Sequence, residues 1–270
     1  MSVFGFIGVG NMGGALARTV CNAEGKENIM VSDYSSEKAE AFAKEVGCVA
    51  VDNNTIAETA KWIFLGVKPQ VLPSVMESLR HVLNKRTKCD FILVTMAAGI
   101  SMAALEEMLG FSAPVVRIMP NTPISVGKGM ILYTANEAVS KNDLSEFVDS
   151  LSFAGKTDYI KEQEIDAASV ISGCGPAFMY MFLEAMQEKG IALGLDGKKA
   201  RLYAEQTMLG AASLAMASEE SLETLRVRVC SPGGSTIEGV KVFQNRELYE
   251  TVSEALSASY KRTKELGEKK

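Results

Sequence analysis

Through the first 160 residues, apolar positions come in short unbroken runs, most of them separated by polar turns and stretches at helical spacing. Residues 3–8 (VFGFIG) form the first run and break into the glycines of GVGNMGG, after which Ala15, Leu16, Thr19 and Val20 recur on one helical face. Further runs at 29–33 (IMVSD), 48–51, 62–67 (WIFLGV), 91–96 (FILVTM) and 115–119 (VVRIM) predict strands, with helices over about 36–46 and 71–83. Lys68 and Pro69 stop the 62–67 run, because proline cannot donate to a central ladder. Continuous rather than alternating apolar runs predict a mostly parallel sheet covered by helices, completed by strands near 130–134 and 157–160. From about 162 the period changes, and 162–171, 176–190, 197–217, 221–229 and 246–266 read as helices without convincing strands between them.

The first glycine-rich turn is specific. Gly8, Gly10 and Gly13 give G-x-G-x-x-G between the first strand and the first helix. There the first glycine allows the tight turn, the second lets a pyrophosphate approach the backbone, and the third lets helix and strand pack closely. Free N–H groups at the helix start then face the diphosphate. The expected organisation is therefore α/β: a Rossmann-like dinucleotide-binding domain over 1–160, then an all-helical domain over 161–270. Asp33 ends the second strand, 25 residues after Gly8, where a carboxylate grips the ribose 2′-hydroxyl of NADH. Lys38, with Ser32, Ser35 and Ser36 nearby, instead suits the 2′-phosphate of NADPH, since a lysine in the first turn of a helix opposes the dipole. The residues leave both cofactors open.

Composition narrows the classes. The chain has 270 residues, 47% hydrophobic and 23% charged, with 28 Lys plus Arg against 33 Asp plus Glu. That balance supports a folded core and argues against a dominant nucleic-acid footprint. No apolar stretch reaches 18 uninterrupted residues, so no membrane span is expected. Cys21, Cys48, Cys89, Cys174 and Cys230 lie far apart without a CxxC, so no metal site is expected. Their odd number, with no leader-like segment at the start, favours a reducing, cytoplasmic setting. The segment 204–217 (AEQTMLGAASLAMA) is apolar on nearly all sides, and a domain of about 110 residues offers limited cover, so a second subunit is expected over this region.

Two turns among the helices look designed for contact. SGCGP at 172–176 puts proline at the first helical position, and SPGGST at 231–236 offers hydroxyls and free N–H groups that suit a small carboxylate. A nicotinamide domain implies hydride transfer. A ketone or alcohol substrate needs a proton-transfer residue, yet the lone histidine, His81, sits in a polar helical stretch, and Lys189, Lys198 and Lys199 sit in loops or helix ends. Without an evident base, the residues point to a substrate that already carries its charge, such as a protonated imine.

These blocks resemble the pyrroline-5-carboxylate reductase family over nearly the whole length. The match includes FIGVGNMG (6–13), LGVKPQ (65–70), VTMAAGI (94–100), VRIMPNTP (116–123), EQEIDAASVISGCGPAF (162–178) and GLDGKKARLYAEQTMLGAA (194–212). Most specific, with the SGCGPAF turn, is VCSPGGSTIEGV (229–240). The resemblance implies reduction of Δ1-pyrroline-5-carboxylate to L-proline, usually with NADPH and with some use of NADH. It implies cofactor contacts from Gly8, Val9, Gly10, Asn11 and Met12, from Ser32, Asp33, Ser35 and Asn53, and from Val67, Lys68, Pro69, Met96 and Ala98. It further implies a substrate carboxylate at Ser231, Gly234, Ser235 and Thr236, the Thr236 hydroxyl near the ring nitrogen, Glu162 and Glu219 near the pocket, and an intertwined dimer that can assemble into a decamer. Glu220 and Ser221 depart from a His-Pro pair common in the family, Arg228 from Asn or Asp, Cys174 from serine and Phe178 from tyrosine. A related imine or β-hydroxyacid dehydrogenase and a non-catalytic nucleotide-binding dimer are the alternatives.

Overall fold

A computed structural model describes residues 3–86 and 90–268. Cys89 lies outside the described residues. Gly175–Ala258 form one compact unit and the remaining described residues the other.

The larger unit is built on an eight-stranded sheet: β1 (Phe4–Ile7), β2 (Ile29–Ser32), β3 (Val49–Ala50), β4 (Trp62–Leu65), β5 (Ile92–Thr95), β6 (Val115–Met119), β7 (Gly129–Ala135) and β8 (Gly155–Tyr159). Their order is β3-β2-β1-β4-β5-β6-β7-β8, parallel except where β7 runs against β6. The strand-connecting helices are α1 (Asn11–Glu24), α2 (Ser36–Val46), α3 (Asn53–Thr59), α4 (Leu72–Leu83), α5 (Met102–Leu109) and α6 (Lys141–Ser150), and α7 (Glu162–Ser172) follows the last strand. Three of these, α3, α5 and α6, are not evident from apolar periodicity because they are short. Each starts from a side-chain cap instead: Asp52, Ser101 and Ser140 accept the backbone N–H of Thr55, Ala104 and Asp143. The strand expected over 62–67 ends at Leu65, one residue before the last bond to β1, from the Gly66 N–H to the Ile7 carbonyl (2.8 Å).

Two apolar layers sandwich the sheet. One face packs Phe4, Phe6, Trp62, Phe64 and Phe147 with α1; the other packs Ile7, Ile63, Leu65 and Leu93 with α4 and α5. Every residue of β1, β4, β5 and β6 is buried, as the unbroken apolar runs require. Each fully buried large side chain contributes about 1.5–3 kcal/mol by transfer from water. Trp62 spends its single donor on Glu146 Oε1 (3.0 Å), so this ring is buried without an orphaned N–H.

The smaller unit holds α8 (Gly175–Ala192), α9 (Gly197–Ala217), α10 (Leu222–Val229), α11 (Ser235–Asn245) and the first half of α12 (Leu248–Glu268), whose last turns cluster with the sheet. In α8, α10 and α11 no residue is buried, and in α9 only Ala200 and Ala204 are. Met179, Met181, Leu202, Leu209, Leu214 and Met216 are all exposed. Among the described residues, Glu162–Ala192 is the one helical stretch apolar and long enough to cross a membrane, with mean hydropathy 1.2 over its most apolar 18 residues. A turn at Gly173–Cys174 breaks it into α7 and α8, and the paired Asp166 lies within it.

Candidate functional site

Strand register gathers the first set of predicted residues. Ile7 pairs with Ser32 on one side and Leu65 on the other, and Leu65 pairs with Thr95. Gly8, Asp33, Gly66 and Met96 therefore follow the ends of four adjacent parallel strands. The chain leaves β1 for β2 on one side and reaches β4 on the other, and such a switch point is where open α/β sheets bind ligands.

The glycines there have three distinct reasons. Gly8 has φ +96°, a left-handed conformation, and its N–H donates to the Ser32 carbonyl (2.8 Å); a Cβ would meet the Gly66 oxygen at 2.7 Å. A Cβ on Gly13 would fall onto the Gly8 carbonyl oxygen, so α1 packs on the turn only with glycine there. Gly10 has open space where its Cβ would stand. Nothing inside the chain requires glycine at that position, whereas an incoming diphosphate does. Gly10 is also the N-cap of α1, which has no side-chain cap and no acidic residue in its first turn, so the positive helix end at Asn11 and Met12 is left to a ligand.

Asp33 is already engaged. Its Oδ2 accepts from the Val9 N–H (3.0 Å) and from Lys38 Nζ (3.2 Å), and its Oδ1 from the Ser35 N–H (3.3 Å). Burial pushes its carboxyl up, but the Val9 and Ser35 N–H groups and Lys38 prevail and hold it below the usual carboxylate range. Asp33 thus ties the glycine turn to β2 while Lys38 neutralises it. Ser32 is buried and donates to Asn53 Oδ1 (2.6 Å), so it orients Asn53. Ser35 caps α2 by accepting from the Lys38 N–H (3.3 Å).

A cleft of about 450 Å³ brings together Gly8, Gly10, Asp33, Asn53, Val67 and Lys68. A second, of about 560 Å³, shares Asp33, Tyr34 and Asn53 with it, and a third, of about 320 Å³, opens beside Val9, Gly10 and Asn11. Met12 and Met96 pack against the apolar layer, and Ala98 against the small cluster of Met119, Leu132 and Ile165. Pro69 is half-buried just after Lys68. Tyr34, not among the residues expected from the sequence, stands fully exposed on the rim of the 450 Å³ and 560 Å³ clefts. Its signal was available: an aromatic residue directly after the strand-ending aspartate.

Glu162 is committed within the sheet unit. Its Oε1 accepts the Met102 N–H (2.7 Å) at the start of α5 and lies 3.5 Å from the buried Arg117 guanidinium.

In the helical unit, the SPGGST turn forms the entry to α11. Gly233 is left-handed at φ +72°, and the Gly234 N–H donates to the Ser231 carbonyl (3.0 Å). Gly234 is the N-cap, again without a side-chain cap, so Ser235 and Thr236 start the helix with uncapped N–H groups; unlike α1, this first turn also carries an acidic residue, Glu238, which pairs with Lys241 (2.7 Å). Ser231, Ser235 and Thr236 are exposed, as is Glu219. The departures in this region answer one another: Arg228 pairs with Glu220, and Ser221 caps α10 by accepting the Thr224 N–H (3.1 Å). The added arginine charge is therefore compensated locally. His81 is exposed on α4, away from the carboxyl ends of the strands.

Residues 162–266 match the family model for pyrroline-5-carboxylate reductase dimerisation, and residues 3–99 that for NADP oxidoreductase, coenzyme F420-dependent. The pyrroline-5-carboxylate reductase of Pseudomonas aeruginosa is 37% identical over 270 residues, covering 97% of this chain and 96% of the relative. That of Corynebacterium melassecola is 34% identical over 269 residues, covering 99% of each. Among solved structures, a Plasmodium falciparum pyrroline carboxylate reductase with NADP bound matches at TM-score 0.89 and 30% identity, covering 98% of each chain.

Proposed function

The chain belongs to the pyrroline-5-carboxylate reductase family, and we propose that it reduces Δ1-pyrroline-5-carboxylate to L-proline with NADPH. The observation that carries this reading is Gly10: an open position at an uncapped helix start, beside a cleft at the sheet's switch point. Those features fit a dinucleotide, and the reduced nicotinamide supplies the hydride when bound.

In this reading the first-turn N–H groups of α1 hold the diphosphate, and the exposed Tyr34 ring offers a face to the adenine. Lys38 leaves Asp33 partly uncovered when it turns to a 2′-phosphate, and the Val9 and Ser35 N–H groups remain to satisfy that carboxylate. Val67 to Pro69, Met96 and Ala98 line the nicotinamide end. The substrate carboxylate sits on Ser231, Gly234 and Ser235 at the α11 entry. Thr236, one residue further, hydrogen-bonds the ring nitrogen and holds its proton while hydride adds to the adjacent carbon. The imine carbon gains a hydride, the nitrogen keeps one proton, and no side chain need act as a base. Glu219 contributes negative charge that favours the protonated imine.

A homodimer through the helical unit is part of the proposal, supported by the match to the dimerisation model and by the uncovered apolar faces of α8 and α9. Further assembly to a decamer and a cytoplasmic setting are included on the family likeness and the cysteine pattern. The test is the initial rate of NADPH and NADH oxidation with and without pyrroline-5-carboxylate, with proline quantified. Proline formed in step with NADPH oxidation supports the reading; folded, dimeric protein that makes none with either cofactor overturns it.

A further inference from the structure

The loop between β5 and α5 is gripped from outside the sheet. Residues Ala97 to Ile100 form a turn, closed by the Ile100 N–H on the Ala97 carbonyl (3.2 Å), with Gly99 left-handed at φ +75°. The last turns of α12 lie on this turn, backbone to backbone. A Cβ on Gly99 would meet the Gly267 nitrogen at 2.6 Å and the Thr263 carbonyl oxygen at 3.1 Å, and a Cβ on Gly267 would fall onto the Gly99 carbonyl. Neither position tolerates a side chain without moving a main chain, so the two glycines set how closely helix and loop approach.

An ion network fixes the same helix and the same loop. Asp166 on α7 accepts Arg117 through Oδ1 (2.7 Å) and Lys264 of α12 through Oδ2 (3.1 Å). Arg117 also reaches Glu162, whose carboxylate holds the Met102 N–H at the far end of the loop. Arg117 is only 3% exposed, and its Nε finds no acceptor among the described residues. A buried network with an unsatisfied donor is a poor source of stability, and its plainer contribution is geometry.

We propose that the last turns of α12, through Gly267 and Lys264, are a positioning element for the Met96–Ser101 loop and so for the nicotinamide end of the cofactor. Glu162 then acts on the reaction through the Met102 N–H. This rests on the reading that Met96 and Ala98 face the nicotinamide.

The experiment compares Gly267→Val, Lys264→Met and Lys264→Arg with the native protein. Binding is measured for NADPH, by dihydronicotinamide fluorescence, and for adenosine 2′,5′-bisphosphate, which lacks the nicotinamide half. The first two variants are expected to weaken NADPH about ten-fold and to lower kcat by up to about 100-fold, the loss of rate that a ~1 Å misplacement can bring. They leave bisphosphate binding unchanged, and Lys264→Arg restores the native values. Unchanged NADPH affinity in both variants overturns the proposal. So does an equal loss for both ligands, which would mark a general weakening of the domain. If the native protein binds bisphosphate but gains nothing from the nicotinamide half, the cofactor reading itself fails and the proposal falls with it.

Discussion

Asp33 and Lys38 brace the glycine turn at the rim of the cleft proposed for the cofactor. Asp33 closes the glycine turn by accepting from Val9, and Lys38 both covers that carboxylate and stands, half-exposed, beside the cleft. Lys38→Met is expected to weaken NADPH about ten-fold or more, the equivalent of a charge-assisted hydrogen bond of about 1.5–3 kcal/mol, while leaving NADH binding nearly unchanged. Titration of each cofactor into the variant checks this. The carboxylate also leaves a pH signature. Because its folded-state pKa is depressed, Asp33 contributes stability in full above the unfolded value of about 3.9, and that contribution disappears as pH falls through the folded value. Denaturant melts at pH 6 and pH 3 are expected to differ less for Asp33→Asn than for the native protein.

At the scale of elements, the fingerprint glycines separate into those the fold needs and one, Gly10, beside which a Cβ would have open space. Gly13→Ala drives a methyl onto the Gly8 carbonyl, and is expected to destabilise by about 1–3 kcal/mol through overpacking. Gly10→Ala meets nothing in the chain, so it is expected to change stability by less than about 1 kcal/mol while weakening NADPH strongly. Thermal melts with and without NADPH distinguish the two: ligand should raise the Tm of Gly13→Ala and leave that of Gly10→Ala almost where it was. The short helices α3 and α5 belong to this scale too. Their caps, Asp52 and Ser101, are visible as residue types, but seven or eight residues give too little periodicity to announce a helix.

For the whole molecule, the two compact units differ in how they keep water out. The sheet unit buries its own apolar residues on both faces, whereas α8 to α11 leave theirs at the surface. A second copy of the chain is the cover that the dimerisation match supplies. Leu209→Glu, at a position 56% exposed on α9, is therefore expected to shift the protein to monomer and to lower its Tm. Sedimentation velocity reads the first effect. A Tm that rises with native protein concentration, and not with that of the variant, reads the second.

Much of this was legible from the chain alone. Unbroken apolar runs determined a parallel, doubly covered sheet, because strands buried on both faces have no polar side to show. The glycine spacing determined where a dinucleotide would lie, since turn, approach and packing each exclude a side chain. Tertiary structure decided what depends on contacts between distant residues. It gave Asp33 the Val9 N–H and Lys38 as partners, matched Arg228 with Glu220, and joined Glu162 to Met102 and Arg117. It also brought Gly267 onto Gly99, a contact between residues far apart in the chain. Local pattern determines which faces must be buried; only the folded chain decides which partner each polar group finds, because that choice is made by approach in space and not by spacing in sequence.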